Sequence, residues 1–206
     1  MSARDEVLGR IRAANAAAGS PAAPPVPREY RRAGMHAPGS DAVVELLVDR
    51  LLDYKAQVID AREGTAGGVP TAISTALSSV DGPVLVPAGL PVGWCPAGVP
   101  DTGFSPSELD GFAAVVTGSA AACATTGTIA LDAGPDQGRR ALTLVPDVHV
   151  CVVRTDQVVE SVPELLARLD PVRPTTFISG PSATSDIELE RVEGVHGPRT
   201  LIVVLA

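Results

Sequence analysis

The stretch VHVCVVRTDQVVESVPELLARLDPVRPTTFIS (residues 148–179) contains two short apolar runs separated by an amphipathic segment. VHVCVV (148–153) is almost continuously apolar and rich in β-branched residues, as is typical of a strand buried on both faces. SVPELLARLD (161–170) has leucines at helical spacing, and TTFIS (175–179) is a second strand candidate. This order of strand, helix and strand predicts an α/β fold with a mostly parallel sheet flanked by helices.

The same alternation continues on both sides of that stretch. Further strand candidates are AQVID (56–60), PVLVP (83–87), GFAAVVTG (111–118), TIALD (128–132), ALTLV (141–145) and TLIVVLA (200–206). Helices are predicted from Ser40 or Asp41 onward, where apolar residues recur every three or four positions, and over PTAISTALSSV (70–80). We therefore predict one α/β domain over residues 40–206, with an antiparallel strand pair around residues 128–153.

Residues 1–39 have a different composition. Ser2 and Asp5 resemble a capping box, and Val7, Leu8 and Ile11 form a one-sided apolar stripe, which predicts a helix over residues 1–15. Residues 16–39 are rich in Ala, Pro and Gly, which predicts a linker or arm. Because so short a stripe cannot fold alone, we expect the helix to pack on the domain or on another subunit.

Charge and cysteine content exclude several classes of function. The 16 basic residues against 24 acidic ones give a net charge of −8, which argues against binding to nucleic acid or to an anionic membrane. Cys95, Cys123 and Cys151 are widely spaced, so we expect no metal and no iron–sulfur cluster bound by this chain alone. Acidic residues near the N-terminus and the absence of a long apolar stretch predict a soluble cytoplasmic protein without a membrane span.

Three polar loops follow strand candidates, and ligands of open α/β sheets bind beyond the carboxyl ends of strands. The loops are TGSAAACATTG (117–127), DAGPDQGRR (132–140) and SGPSATSDIE (179–188). The third has the most hydrogen-bonding groups and offers, as ligand-binding candidates, Ser179, Gly180, Ser182, Thr184 and Ser185. Ser185 and Glu188 match a capping box, so a helix is predicted to begin there, with amides that favour a carboxylate or phosphate. The alternative is that these hydroxyls only cap the helix and close a turn.

The other two loops add ligand-binding candidates with alternatives of their own. Arg139 and Arg140 can each offer a bidentate guanidinium to a carboxylate or phosphate, or the pair can neutralise Asp132 and Asp136. In the first loop and the strand after it, Thr126, Gly127 and Thr128 can offer hydroxyls and a close backbone approach. A tight turn into a strand explains Gly127 equally well.

Among the histidines, His196 lies between glycines in a loop and is the candidate for general acid–base catalysis. His149 opens a strand, which favours a packed or surface residue, and His36 falls in the linker and is set aside. Cys123 has no cationic neighbour in sequence to activate its thiol, so we interpret it as structural.

Several long runs in the C-terminal half resemble the LUD domain of the lactate utilization protein C family. They are TGTIALDAGPDQGRRALTLVPDVHVCVV (126–153), QVVESVPELLARLDPVRPTTFISGPSATSDIE (157–188) and ERVEGVHGPRTLIVVLA (190–206), with a looser match at the N-terminus. The resemblance implies a fold similar to the NagB/RpiA/CoA-transferase group. It also implies a role in bacterial oxidation of L-lactate to pyruvate, beside an iron–sulfur protein and a cysteine-rich partner that carry the clusters.

The resemblance extends to individual positions. Residues typical of the family stand at Thr126, Gly127, Thr128, Gly134, Gly138, Arg139, Arg140, Pro146, His149, Ser179, Gly180, Pro181, Ser182, Thr184, Asp186, Glu188, Gly194, His196 and Gly197. Two acidic positions of the family are occupied by Ala120 and Thr125. A carboxylate nucleophile, which the CoA-transferase-like fold can use, is therefore missing from that loop.

Three functions follow as hypotheses. The first is a subunit of a lactate-oxidising oxidoreductase complex whose pocket binds a small carboxylate or phosphate, as a monomer or an oligomer. The second is a non-catalytic assembly or regulatory subunit with a vestigial pocket, docked through its N-terminal segment. The third, by fold analogy alone, is a stand-alone enzyme acting on sugar phosphates or CoA esters.

Overall fold

The computed structural model describes residues 2–19, 25–62, 67–185, 191–193 and 196–206, with only the backbone of 183–185 and 191–193. The chain divides into two compact units, Met1–Tyr30 and Arg31–Ala206. No helix within those described ranges is both long enough and apolar enough to cross a membrane.

The first unit contains helix α1, Ala3–Ala17. The predicted capping box is present: the amide of Asp5 donates to Ser2 Oγ, and the amide of Ser2 donates to Asp5 Oδ2, both at 3.2 Å. No residue of α1 is buried, and the side chains of Val7 and Ile11 are each about half exposed. The sequence prediction of a helix here is confirmed.

Six parallel strands form the central sheet of the second unit, and the mostly parallel sheet predicted from sequence is confirmed. With strands numbered along the whole chain, these are β1 Gln57–Asp60, β2 Val84–Val86, β3 Val99–Pro100, β4 Ala114–Thr117, β7 Val148–Val153 and β12 Thr200–Leu205. Their order in the sheet is β1-β12-β7-β4-β2-β3. The register places His149 of β7 between Leu201 of β12 and Val115 of β4.

A second sheet of four short strands lies beside the first. Its strands are β5 Ala121–Cys123, β6 Thr128–Leu131, β8 Val158–Val159 and β9 Thr176–Ile178, in the order β8-β5-β6-β9. Strand β6 pairs antiparallel with β5 and β9. Of the antiparallel pair predicted around residues 128–153, residues 128–131 do pair antiparallel, whereas residues 148–153 pair in parallel within the central sheet.

Helices cover both faces of the central sheet, and one packs on the second sheet. The helices are α2 Asp41–Asp53, α3 Gly68–Ala76, α4 Pro106–Leu109 and α5 Val162–Ala167, with short 3₁₀ turns at Arg140–Thr143 and Thr155–Gln157. Leu165 of α5 packs with Cys123 and Val159 of the second sheet. Alternate residues of β7 point to opposite faces, so Cys151 packs with Leu47 of α2 and Val150 packs with Ile73 of α3. The α/β fold of a sheet flanked by helices is confirmed, and the likeness to the NagB/RpiA/CoA-transferase group stays a prediction.

The strand predicted at residues 141–145 is wrong. The amide of Leu142 donates to the carbonyl of Arg139 at 3.0 Å and closes a 3₁₀ turn, which buries Leu142 against Leu85, Leu109 and Val115. Ala141 and Val145 pack partly against the same cluster, whereas Leu144 is exposed, so this run contributes to the core without pairing in a sheet.

The end of the predicted linker, residues 31–39, belongs to the second unit and is hydrogen-bonded to the rest of it. The amides of Met35 and His36 both donate to Glu160 Oε2 at 2.7 Å, and His36 Nδ1 lies 2.9 Å from the same oxygen. The amide of Gly39 donates to the carbonyl of Val158 at 2.9 Å. These hydrogen bonds, led by that from the His36 amide, hold the pKa of Glu160 below its usual range. His36, set aside on sequence grounds, thus has a structural contact.

Candidate functional site

A cavity of about 210 Å³ lies between the second sheet and the central sheet. Its walls are the carboxyl end of β9, the loop that follows it, residues 196–198, and the side chains of His149 and Leu201. His149 and Leu201 are each the second residue of their strand, so the cavity lies at the amino-terminal half of β7 and β12. The cavity thus lies beyond the carboxyl end of β9, and not beyond the carboxyl ends of the parallel strands.

A larger depression of about 790 Å³ opens along the amino-terminal edge of the central sheet. The arginine that lines it is paired: Arg199 Nε donates to Asp147 Oδ1 at 2.6 Å and Arg199 Nη2 to Asp147 Oδ2 at 2.8 Å. None of the sequence-predicted site residues lines it. The smaller cavity is the better candidate because predicted polar residues converge there.

Five of the predicted site residues line the smaller cavity. They are Arg140, Ser179, Gly180, Ser182 and His196, which come from three separate segments of the chain. The structure therefore brings together residues up to 56 positions apart. The two most distant ones contact each other directly, because Arg140 Nη2 donates to the His196 carbonyl at 3.4 Å.

Arg140 supplies positive charge at this cavity. Its Nη1 donates to Thr143 Oγ1 at 3.3 Å, and across the part of the chain that the structure describes it forms no ion pair with a carboxylate. Burial lowers the pKa of the guanidinium from its usual value. A partly desolvated cation whose described contacts are neutral oxygens favours an anion as its next neighbour.

Arg139 turns away from the cavity. Its Nε and Nη2 donate to the two carboxylate oxygens of Asp101 at 2.8 and 3.0 Å, and Nη2 also donates to the carbonyl of Phe104 at 2.6 Å. The hydrogen bond from Arg139 holds the pKa of Asp101 below its usual range. The predicted pairing of the two arginines with Asp132 and Asp136 is wrong, because Asp132 pairs with Arg173 at 3.0 Å.

The Thr-Gly-Thr turn reaches the cavity only through Ser179. Thr126 Oγ1 donates to Thr128 Oγ1 at 2.8 Å, and Thr128 Oγ1 lies 2.8 Å from Ser179 Oγ. Gly127 has a φ of +59° and no room for a side chain, since a Cβ there would lie 2.9 Å from Arg50 Cβ. The turn thus supports the loop after β9, and its glycine packs against α2.

The hydroxyl proton of Ser182, beside the cavity, has no acceptor among the described residues. Its Oγ accepts from the amide of His196 at 3.1 Å, and the Ser182 amide donates to the carbonyl of Pro198 at 2.8 Å. These two contacts join the segments 179–182 and 196–198. Because Oγ already accepts, its own proton is available to a ligand.

The helix predicted to begin at Ser185 falls on residues 186–190, including Glu188, which lie outside the described residues. Strand β10, Ala183–Ser185, pairs antiparallel with β11, Arg191–Glu193, on either side of them. The side chains of Thr184 and Ser185 lie outside the described part as well. Anion binding by helix amides at this point stays a prediction.

His149 is the site residue that sequence reasoning missed. It is 1% exposed, it lines the cavity, and its Nε2 lies 2.8 Å from Thr117 Oγ1 of the neighbouring strand. Nδ1 has no hydrogen-bond partner among the described residues. The signal was in VHVCVV: strict alternation places His149 on the same buried face as Cys151 and Val153, and a buried polar side chain requires a partner.

Electrostatics keep His149 neutral. Burial, with a smaller contribution from the charge of Arg140, lowers its pKa to about 4. At neutral pH the ring of His149 is therefore uncharged beside the positive charge of Arg140. In the described ranges of the chain, no three His, Cys, Asp or Glu side chains are placed to hold a metal ion. The absence of a cofactor bound by this chain stays a prediction.

Comparison with known proteins places the chain in a family. The LUD domain family model matches residues 108–206. Lactate utilization protein C of Deinococcus radiodurans is 45% identical over 212 aligned residues, which cover 98% of this chain and 95% of that protein. The chain belongs to the LUD domain family. Lactate utilization protein C of Bacillus subtilis is 31% identical over 40% of this chain and 38% of its own length.

A solved structure extends the comparison to three dimensions. The crystal structure of a DUF162 family protein from Deinococcus radiodurans matches with a TM-score of 0.66 and 40% identity, over 80% of this chain and 96% of that one. All the cavity residues named above, from Arg140 to Leu201, lie within the segment matched by the LUD domain family model. The cavity is therefore built by the LUD domain itself.

Proposed function

We propose that this chain acts in lactate utilisation, as a subunit of a bacterial system that oxidises L-lactate to pyruvate, and that its cavity binds a small carboxylate. The relatives named lactate utilization protein C support the pathway. The observation that carries the ligand class is Arg140, a cation with only neutral described contacts at a cavity lined by polar groups.

A carboxylate fits the donors that the cavity offers. Arg140 can donate two parallel hydrogen bonds to its oxygens, and the free proton of Ser182 Oγ can supply a third. A volume of about 210 Å³ has room for a three-carbon acid with ordered water, and it is small for a sugar phosphate or for CoA. The stand-alone enzyme on those larger substrates is accordingly the weaker hypothesis.

Lactate oxidation releases two electrons and two protons. In this proposal iron–sulfur and cysteine-rich partner proteins take the electrons, and His196 is the acid–base candidate of this chain. His196 lines the cavity, and its backbone is fixed by Ser182 and Arg140. Imidazole is the side chain best suited to exchange a proton near neutral pH.

The neighbouring arginines provide a matched test. Arg140→Ala is expected to weaken L-lactate binding by about 10- to 100-fold, since a charge-assisted bond contributes about 1.5–3 kcal/mol. Arg139→Ala is expected to leave the affinity unchanged and to lower stability instead, because its partners are Asp101 and Phe104. Isothermal titration calorimetry on the two purified variants measures the affinity, and thermal melting measures the stability.

Equal affinity in both variants would contradict the carboxylate site at Arg140. The role in the pathway has a separate test in cells. A bacterium whose own gene is deleted should regain growth on L-lactate with the wild-type chain and with Arg139→Ala, and should grow poorly with Arg140→Ala. Full growth with all three would show that the pathway does not depend on the cavity.

A second candidate, the non-catalytic assembly subunit, is favoured by α1. This helix has 15 residues, none of them buried, and isolated helices of this length are marginal in water. Removal of residues 2–19 is expected to abolish co-purification with the iron–sulfur partners, while the melting temperature of the remaining chain changes by less than about 2 °C. Pull-down and calorimetry measure the two effects. Retained association would contradict the assembly role.

A further inference from the structure

A chain of hydrogen bonds runs from the cavity into the core beneath it. It begins at His149 Nε2, which lies 2.8 Å from Thr117 Oγ1. It continues from Thr117 Oγ1 to Cys151 Sγ at 3.8 Å, and from Cys151 Sγ to the carbonyl of Gly118 at 3.6 Å. Thr117 and Cys151 face each other in the register of β4 and β7, and both are fully buried.

The direction of this chain follows from its far end. A carbonyl oxygen can only accept, so the thiol of Cys151 donates to Gly118. That proton is available because burial raises the pKa of Cys151 to about 12. The sulfur can then accept the single hydroxyl proton of Thr117, and Thr117 Oγ1 in turn accepts from Nε2–H of His149. In this arrangement His149 Nε2, Thr117 Oγ1 and Cys151 Sγ each have a hydrogen-bond partner.

The other ring nitrogen of His149 is then an unprotonated acceptor. Nδ1 has no partner among the described residues, and the ring is 1% exposed and lines the cavity. Among the described residues, Ser40 Oγ is the one fully buried side-chain nitrogen or oxygen atom without a hydrogen-bond partner, so Nδ1 is accessible. Because the residue lines the cavity, a donor on the ligand can pair with this lone pair and stabilise the complex. We propose that His149 presents Nδ1 as a hydrogen-bond acceptor and thereby selects a carboxylate with a hydroxyl on the adjacent carbon over the corresponding oxo acid.

This selection rests on the proposed function, in which Arg140 and Ser182 hold the carboxylate. The 2-hydroxyl of a hydroxy acid donates its proton to Nδ1. The carbonyl oxygen of an oxo acid carries only lone pairs, so it would face the lone pair of Nδ1 and leave it unsatisfied. The hydroxy acid gains one hydrogen bond to Nδ1, whereas the oxo acid meets one repulsive contact there. We therefore expect the hydroxy acid to bind at least about tenfold more tightly.

The protonation pattern can be measured without a ligand. Long-range ¹H–¹⁵N correlation spectra of the full chain are expected to show Nε2 of His149 as the protonated nitrogen and Nδ1 as the unprotonated one. Thr117→Ser keeps the hydroxyl and should preserve that pattern, whereas Thr117→Val removes it and should give a mixture of tautomers. A protonated Nδ1 in the wild-type chain would overturn the proposal.

Calorimetry with L-lactate, pyruvate and propionate tests the selection itself. The wild-type chain and Thr117→Ser should bind L-lactate at least about tenfold more tightly than pyruvate, with propionate in between. In Thr117→Val the preference should fall to about twofold or less.

If the wild-type chain binds pyruvate as tightly as L-lactate, the selection by His149 is overturned, while the carboxylate site at Arg140 is left intact. Binding of none of the three acids overturns the proposed function and the selection together, and an unprotonated Nδ1 in that sample would assign the failure to the Arg140 site.

Discussion

The free energy of unfolding is expected to fall by about 3 kcal/mol as the pH is lowered from 6.5 to 4, and His149 is the cause. Below pH 6.5 an unfolded histidine takes up a proton, but the buried ring in the folded chain stays neutral until about pH 4. Between these values the unfolded state binds more protons, so acid shifts the equilibrium toward it. Above and below this window, His149 contributes no further change.

His149→Asn isolates this effect, because asparagine can still bond to Thr117 and does not titrate. Urea unfolding followed by circular dichroism at several pH values measures the free energy for both chains. The wild-type curve should fall about 3 kcal/mol further than the variant curve across the window. Carboxyl groups with lowered pKa, such as Asp101 and Glu160, act in both chains and cancel in the comparison. Parallel curves would show that His149 is not held neutral.

Gly180→Ala is expected to destabilise the chain by about 3 kcal/mol and to weaken ligand binding as well. The φ of Gly180 is +89°, which alanine adopts only with strain, and the new Cβ would lie 2.7 Å from Tyr54 Cβ and 2.9 Å from the Tyr54 carbonyl oxygen. The backbone must shift to relieve this contact. Since residues 179–182 form one wall of the cavity, the shift also moves Ser182.

Gly103→Ala is the matched control. Its φ of +96° imposes the same backbone strain, but nothing lies within 4 Å of the added Cβ. We expect a cost of about 1 kcal/mol from strain alone, and no change in ligand affinity. Urea unfolding of both variants separates strain from steric contact. Equal destabilisation of the two variants would show that Gly180 is required only for its φ.

The fold was largely predictable because its strands are continuous apolar runs. VHVCVV and TLIVVLA are buried on both faces of a parallel sheet, and that burial leaves a local signal that sequence displays directly. The second sheet was harder to predict. Strands β5 and β8 have only three and two residues, and their pairing depends on chain crossings that local patterns do not encode.

An error arose where a local pattern has two possible structures. The apolar run 141–145 looked like a strand, and the structure folds residues 140–143 into a 3₁₀ turn. Leu142 of that turn is buried against Leu109 of α4, a contact between distant residues that the local pattern cannot reveal.

The sequence indicates which residue types occur at the candidate site, but it does not indicate what each of these residues contacts. Arg139 and Arg140 are equivalent in sequence, and they separate only because Asp101, 38 positions earlier, captures one of them. His149 could have been selected from the alternation of its strand. Its bond to Thr117 across the sheet depends on register, which sequence alone does not give.

The end of α2 has a consequence for how the cavity opens. Gly127 lies against Arg50, and Gly180 lies against Tyr54, so both polar loops rest on the last turn of one helix. Thr128 and Ser179 also join the loops directly. If that turn unwinds, both loops lose their support at once, and their backbone amides become open to solvent exchange as a single cooperative unit. Access to the cavity is thus tied to the local stability of a helix that does not line it.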